Sequence, residues 1–236
     1  MRPLNASEMK TAHLCMITAH RERSYVQETT GAILAQLEHD GLGSRLTLSI
    51  NVVSGWDRID NPLAFPLEHR AMASGTDCLT NEDTDPLPPC GVRQQGLDVA
   101  NALTACHRRV PGTDWVILME DDFMPCDHAL TGVLETLDTL DPHKIKFARF
   151  TQGNGVVAFP QGNVLRYTQS ILDNIGTIPC DRVLLEPWSL DSDYVFPRHL
   201  FKHIGAVSTI GYRNKEEYVR EYSSLRDNEC GNEIRV

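Results

Sequence analysis

The sequence predicts an α/β fold in which a mainly parallel central sheet is flanked by helices. Strand-like apolar runs alternate with amphipathic helical patterns along the chain, which is the order found in such folds. The run from Trp115 to Met119 is apolar throughout, as is typical of a strand buried on both faces of a parallel sheet. Ligands of such sheets bind beyond the carboxyl ends of the strands, so the residues that follow strands are the first candidates for a site.

The first fifty residues predict a strand, a helix and a second strand. Residues His13 to Ala19 form an apolar run followed by charged residues, which indicates a buried first strand. Apolar residues recur at near-helical spacing from Tyr25 to Leu37, and Gly41 and Gly43 interrupt the pattern. Residues Leu46 to Val53 alternate and are rich in β-branched side chains, which favours a second strand.

The rest of the chain continues this alternation after a long loop. From Trp56 to Pro89 the sequence is polar and contains prolines without a sustained period, which predicts a surface loop with room for a short helix near Leu67 to Ala73. The elements predicted beyond it are a helix over Val92–Cys106, a strand over Trp115–Met119, a helix over Ala129–Leu140, a strand over Ile145–Phe150, a helix over Asn163–Ile175 and a short apolar segment over Leu200–Ile204. We expect one domain over residues 1–236, with the tail from about residue 214 at its periphery.

Charge and hydropathy exclude several kinds of partner. The chain has 32 acidic and 22 basic residues, a formal net charge of −10, and no basic run long enough to neutralise a line of phosphates. Nucleic acid is therefore not an expected ligand. The apolar runs are far shorter than the roughly 20 residues that cross a bilayer, and residues 1–12 show no secretory signal. We expect a soluble chain without a transmembrane segment.

The seven cysteines show neither a C-x-x-C pair nor the Cys/His spacing of a zinc site. Cys78 and Cys90 flank a segment rich in proline and acidic residues, where a disulfide would close a short loop; free thiols are the alternative. The odd count leaves at least one thiol unpaired within a monomer.

Three consecutive carboxylates, Glu120, Asp121 and Asp122, follow the best predicted strand directly. Neighbouring side chains of a strand point to opposite faces, so at least one of the three is directed into the core, at a cost of several kcal/mol unless it is paired or ligated. A divalent cation would offset that cost, because it prefers hard oxygen ligands and lets them remain ionised. An ordinary acidic turn at the end of a strand is the alternative.

Four segments, in the same order, resemble motifs of the N-acetylglucosaminyltransferase IV family. Residues 92–126, ending in WVILMEDDFMPC, are similar to its helix, strand and acidic motif, and residues 200–205, LFKHIG, to its later histidine motif. Residues 17–34 resemble its first strand and arginine-rich loop, and residues 146–159 the strand that follows the acidic motif. The resemblance implies a GT-A-type fold that binds a nucleotide-sugar. It also implies the Golgi lumen as compartment if a membrane anchor is missing from this sequence; otherwise the cytoplasm is expected.

The resemblance implies roles for the acidic triplet and for one histidine. Asp122 matches the direct ligand of Mn²⁺ or Mg²⁺, and His203 would lie near the metal and the diphosphate. Glu120 and Asp121 would contact the nucleoside, the ribose or metal-bound water. For His203 the alternative is a histidine that merely packs in the core.

Arginines and two further acids complete the predicted site. Arg21 and Arg23 follow the first strand and suit bidentate contacts to phosphate, unless they belong to a solvated loop. Arg93 lies on the helix before the acidic strand and would also reach the donor, although surface pairing is an alternative. An inverting transferase needs a base that takes the proton of the attacking hydroxyl. Glu186 is the first candidate and Asp181 the second, because the surrounding segment resembles the acidic stretch of the family.

Together these features predict an inverting, metal-dependent glycosyltransferase. It would move a sugar, with N-acetylglucosamine the first candidate, from a UDP-sugar to a glycan hydroxyl. Three alternatives stay open: transfer of N-acetylgalactosamine to a glycolipid anchor, a metal-dependent phosphate or sugar-ester hydrolase, and a non-catalytic sugar-binding domain. Acceptor recognition depends on loops whose positions a sequence does not give.

Overall fold

A computed structural model describes residues 9–18, 24–52, 90–151, 155–174, 180–183, 192–205 and 230–231. The predicted loop from Trp56 to Pro89 and the short helix within it lie outside these ranges, as does the tail from about residue 214 apart from residues 230–231. Among the described residues, no helix combines the length and the apolar character that crossing a bilayer requires.

Strands and helices alternate through the described residues. The strands are β1 Ala12–Thr18, β2 Leu46–Val52, β3 Trp115–Glu120, β4 Phe123–Pro125, β5 Ile145–Arg149, β6 Val156–Pro160, β7 Ser192–Val195 and β8 Phe201–His203. The helices are α1 Val26–His39, α2 Cys90–Arg109, α3 Ala129–Thr139, α4 Val164–Asn174 and α5 Cys180–Val183. Single 3₁₀ turns follow α1 and precede α4, at Leu42–Ser44 and Gln161–Asn163.

Six of the strands form one mostly parallel sheet in the order β2-β1-β3-β6-β5-β7. β1 pairs in parallel with both β2 and β3, and β5 pairs in parallel with β7. Only β6 runs against its neighbours β3 and β5. β4 and β8 pair separately as a small antiparallel ribbon. The predicted fold class, a mainly parallel sheet flanked by helices, is confirmed.

Helices cover the two faces of the sheet and create two cores. On one face, side chains of β1 and β3 such as Met16 and Trp115 pack with α1 and α3, which contribute Ile33 and Leu134. On the other face, alternate residues of the same strands pack with α2, α4 and α5. β3 is therefore buried on both faces, which is why its sequence is apolar without alternation.

The sequence patterns located the helices α1 to α4 and the strands β1, β2, β3 and β5 to within a few residues, but not the short helix α5. Three short strands, β4, β6 and β7, were not predicted. β6 begins directly after Gly155, and its five residues are all buried, so they carry no period-two alternation. A short apolar run of this kind does not distinguish a strand from other buried backbone.

Disulfides join distant segments of the chain. Cys15 on β1 pairs with Cys106 on α2, and Cys126 after β4 pairs with Cys230. The two cysteines of these pairs are 91 and 104 residues apart in the sequence, so no local spacing of cysteines predicts them. The predicted pairing of Cys78 with Cys90 stays a prediction, because Cys78 lies outside the described residues.

A buried histidine on β1 makes the stability of the protein depend on pH. The ring nitrogens of His13 lie 2.7 Å from Thr47 Oγ1 and 2.8 Å from Ser49 Oγ, and the residue is almost fully buried. Burial, followed by the positive charge of Arg109, lowers the pKa of His13 from 6.5 to about 4. The folded protein therefore keeps His13 neutral where the unfolded chain already binds a proton.

We expect the free energy of unfolding to fall as the pH decreases from about 6.5 to about 4. Between these two pH values the unfolded state binds more protons than the folded state. The stability that neutral His13 contributes is therefore fully present above its unfolded pKa of 6.5, and it is lost as the pH falls towards the folded pKa of about 4. The shift corresponds to roughly 3 kcal/mol. Denaturant unfolding of wild type and of His13→Gln at several pH values measures it, and an identical pH dependence in both proteins would contradict the assignment.

Candidate functional site

The acidic triplet lies where the order of the strands reverses. From β1 the chain moves to β2 on one side, and from β2 it crosses over β1 to β3 on the other. The crevice between the carboxyl ends of β1 and β3 is thus the switch point at which open α/β sheets bind ligands. Glu120 ends β3 at this edge, and Asp121 and Asp122 form the turn that follows.

Three separate segments hold the backbone of this turn. The Glu120 amide donates to the carbonyl oxygen of Gly155 at 3.0 Å, and the Asp121 amide donates to that of Ile17 at 3.1 Å. The carbonyl oxygen of Asp122 accepts a hydrogen bond of 2.8 Å from the Ile204 amide. The acids are therefore fixed by β1, by the residue before β6 and by the residue after β8.

Asp121 is the member of the triplet that points into the protein. It is fully buried, and its Oδ2 accepts a hydrogen bond of 2.7 Å from the hydroxyl of Thr18 at the end of β1. The Thr29 hydroxyl on α1 donates to the carbonyl oxygen of Asp121 at 2.6 Å. The alternation of side chains along a strand requires one inward acid; Thr18 gives its carboxylate a hydrogen-bond donor, and Thr29 holds its backbone. A contact between Asp121 and a nucleotide stays a prediction.

Asp122 faces His203 across the β4–β8 ribbon. Asp122 Oδ2 lies 3.4 Å from His203 Nε2, and the two side chains are 8% and 14% exposed. β8 brings the histidine there because His203 pairs with Phe123, the residue directly after Asp122. The Phe123 and His203 rings are in contact, with centroids 4.8 Å apart, which restricts the imidazole to this orientation.

A glycine lets this pair pack closely against the backbone. A Cβ built on Gly205 would overlap Asp122 Oδ2 and would lie 3.0 Å from His203 Nε2. Only a residue without a side chain leaves the carboxylate and the imidazole in their observed positions. Gly155 has the same relation to the Phe123 ring, which a Cβ at that position would overlap.

The donor atoms at this place suit a divalent cation. Two donor atoms that each lie roughly 2.1 Å from one ion, at a right angle to each other, are about 3 Å apart. The distance of 3.4 Å between Asp122 Oδ2 and His203 Nε2 is close to that separation. A carboxylate oxygen with an imidazole nitrogen accepts Mn²⁺, and fewer protein ligands leave positions for a diphosphate. Gly205 has no Cβ that would displace either donor atom. The residues present therefore fit the group that the sequence implies.

The other predicted site residues are only partly placed. Arg21, Arg23 and Glu186 lie outside the described residues. Arg93 lies on α2 and Asp181 on α5, and the directions of their side chains are not described. The roles proposed for these five residues stay predictions.

Sequence reasoning missed several residues that shape the site. Thr18 and Thr29 position Asp121, and Gly205 lets the Asp122 carboxylate lie against the backbone. Thr18 offered a signal, because it is a polar residue at the carboxyl end of a buried strand. Gly205 lies two residues after His203, in the same segment that resembles the histidine motif.

Comparison with known proteins identifies the fold. The sequence matches no established family profile, and no curated protein is significantly similar to it. A solved glycosyltransferase involved in the glycosylation of the major capsid of PBCV-1 superposes with a TM-score of 0.53 at 11% identity, over 89% of this chain and 99% of the other. A mutant Drosophila β-1,4-galactosyltransferase 7 complexed with manganese, UDP-Gal and xylobiose gives 0.42 at 9% identity, over 89% and 79%. The first likeness shows that the chain has a GT-A-type fold.

Proposed function

We propose that this chain is a metal-dependent glycosyltransferase that moves a sugar from a UDP-sugar to a hydroxyl of a glycan with inversion. The observation that best supports this proposal is the buried pair of Asp122 and His203 beside Gly205, at the switch point of a GT-A-type sheet. The four motifs shared with the N-acetylglucosaminyltransferase IV family support N-acetylglucosamine as the first donor to test.

Each residue of the site has a chemical task in this proposal. Asp122 and His203 would hold Mn²⁺ or Mg²⁺, and such an ion would stabilise the charge that develops on the departing UDP. Asp121, buried and bonded to Thr18, fixes the turn so that Asp122 is presented at the edge of the sheet. Glu120 is half-buried at the end of β3 and is proposed to contact the nucleoside or ribose.

The base must stand opposite the leaving group, on the side from which the acceptor hydroxyl attacks. Glu186 is proposed to take that proton, with Asp181 on α5 as the second candidate. Arg21, Arg23 and Arg93 are proposed to engage the nucleotide and its phosphates, for which a guanidinium is suited. The two substrates in this proposal are thus a nucleotide-sugar donor and a glycan acceptor.

A screen of UDP-sugars with manganese, read by mass spectrometry with and without glycan acceptors, tests the function. We expect UDP release that depends on the metal, and transfer to at least one acceptor. Release of phosphate or sugar from esters without any UDP-sugar would favour a hydrolase. Absence of metal-linked UDP binding would favour a non-catalytic sugar-binding domain.

The Glu186→Gln variant, run in the same screen, tests the base. We expect it to bind UDP with manganese as wild type does while transfer falls by at least about 10²-fold, the lower end of what a positioned base contributes. Asp181→Asn is the matched variant. Wild-type turnover by Glu186→Gln together with loss of turnover in Asp181→Asn would assign the proton transfer to Asp181.

A further inference from the structure

A second cluster of metal-ligating side chains lies at the end of α1. His39 is the last residue of this helix and Asp40 follows it, while His128 precedes the first residue of α3. One ligand atom from each side chain can be chosen so that all three lie within 4.8 Å of one another. We refer to His39, Asp40 and His128 as the α1–α3 cluster.

Both imidazoles of the cluster point at the same carboxylate. His39 Nδ1 lies 2.7 Å from Asp40 Oδ1, and His128 Nδ1 lies 3.2 Å from each carboxylate oxygen. The Thr131 hydroxyl on α3 donates to Asp40 Oδ2 at 2.8 Å and holds the carboxylate from the far side. These bonds, that to His39 first, lower the pKa of Asp40 to about 2, so its carboxylate is ionised.

The backbone presents these side chains in a fixed arrangement. His128 has φ 55° and ψ 22°, a left-handed conformation that residues other than glycine rarely adopt and that costs about 1 kcal/mol. Gln36 of α1 ties the two segments together, since its amide donates to the Cys126 carbonyl oxygen at 2.6 Å and accepts from the Leu130 amide at 3.2 Å. His128 is thereby held over the end of α1.

The α1–α3 cluster is separate from the candidate active site. Thr29, which bonds to Asp121, stands near the start of α1, and His39 is ten residues further along the same helix. At 1.5 Å per residue the two places are roughly 15 Å apart along the axis. The cluster also faces solvent, with the His39 and His128 side chains 77% and 67% exposed.

We propose that the α1–α3 cluster binds one zinc-class transition-metal ion that links the end of α1 to the start of α3. Two imidazole nitrogens and one carboxylate oxygen form a ligand set suited to Zn²⁺, with one position left for water. The metal ion takes the place of the Nδ1 protons with which His39 and His128 face the Asp40 carboxylate. The exposure of both histidines gives the ion a direct path from solvent, and Thr131 orients the ligating carboxylate as supporting hydrogen bonds do in such sites.

Isothermal titration of the metal-stripped protein with ZnCl₂, and its melting temperature with and without zinc, test the site. Zinc that binds only the folded chain at a hundredfold excess over Kd raises the melting temperature by about 5 °C or more for a domain of this size. We expect His39→Ala and His128→Asn each to weaken this binding by at least about tenfold and to remove most of the rise. Asparagine suits the left-handed backbone at position 128, so loss of folding is avoided.

Two controls separate this site from the proposed active site. His143→Ala removes an exposed histidine outside the cluster and is expected to leave the zinc-induced rise unchanged. Asp122→Ala is expected to retain it as well, whether or not the proposed transferase activity exists. Unchanged zinc affinity in the His39→Ala/His128→Asn double variant, or loss of the rise in Asp122→Ala alone, would overturn the proposal.

Discussion

Replacing Asp122 with alanine is expected to abolish manganese-dependent binding of UDP while the protein remains folded. Asp122 Oδ2 and His203 Nε2 are the two donor atoms that converge at the end of β3, so the variant keeps one of the two. Removal of groups that only support a metal ligand costs 10–100-fold in affinity, and we expect removal of the ligand itself to cost at least about 100-fold. Calorimetric titration with UDP, with and without manganese, measures this loss.

The fold should survive, because the backbone bond from Ile204 to the Asp122 carbonyl oxygen does not need the side chain. Asp173→Ala on α4 is the matched control, since it removes an exposed carboxylate at a distance from the site. It should bind UDP as wild type does. Wild-type affinity in Asp122→Ala, with an unchanged thermal transition, would remove Asp122 from the metal site.

Replacing Gly205 with alanine is expected to weaken manganese and UDP binding by tenfold or more, although no ligating group is lost. The new methyl group would overlap Asp122 Oδ2 and stand 3.0 Å from His203 Nε2. The carboxylate and the imidazole must then separate, and a buried pair of this kind has little room to move. Calorimetry with manganese alone and with UDP measures the effect on each ligand.

Gly162→Ala is the matched control for this variant. The position lies in the 3₁₀ turn before α4, and a Cβ there meets no atom within 4 Å. It should leave binding unchanged. A Gly205→Ala protein that binds manganese and UDP as wild type does would show that the close packing of Gly205 against Asp122 is not needed by the site.

The elements that the sequence predicted well are those whose pattern is local. Trp115 to Met119 is apolar because β3 is covered on both faces, and α1 repeats its apolar residues at helical spacing because one side faces the core. The acidic triplet was found because it follows β3 without a spacer. These features need only a few neighbouring residues to be recognised.

Features that depend on distant contacts were not predictable in the same way. The pairing of Phe123 with His203 brings a histidine to Asp122 across about 80 residues of chain, and only a family resemblance suggested it. The contact of His128 with Asp40 spans 88 residues and had no sequence signal. β6 was missed because five buried residues carry no period.

The most direct test of the account is a crystal of the protein soaked with manganese and UDP, with anomalous diffraction recorded at the manganese edge. We expect one anomalous peak within coordination distance of the Asp122 carboxylate and the His203 imidazole, with the diphosphate of UDP against it. A manganese peak with UDP at any other place, and none beside Asp122, would contradict the proposed site.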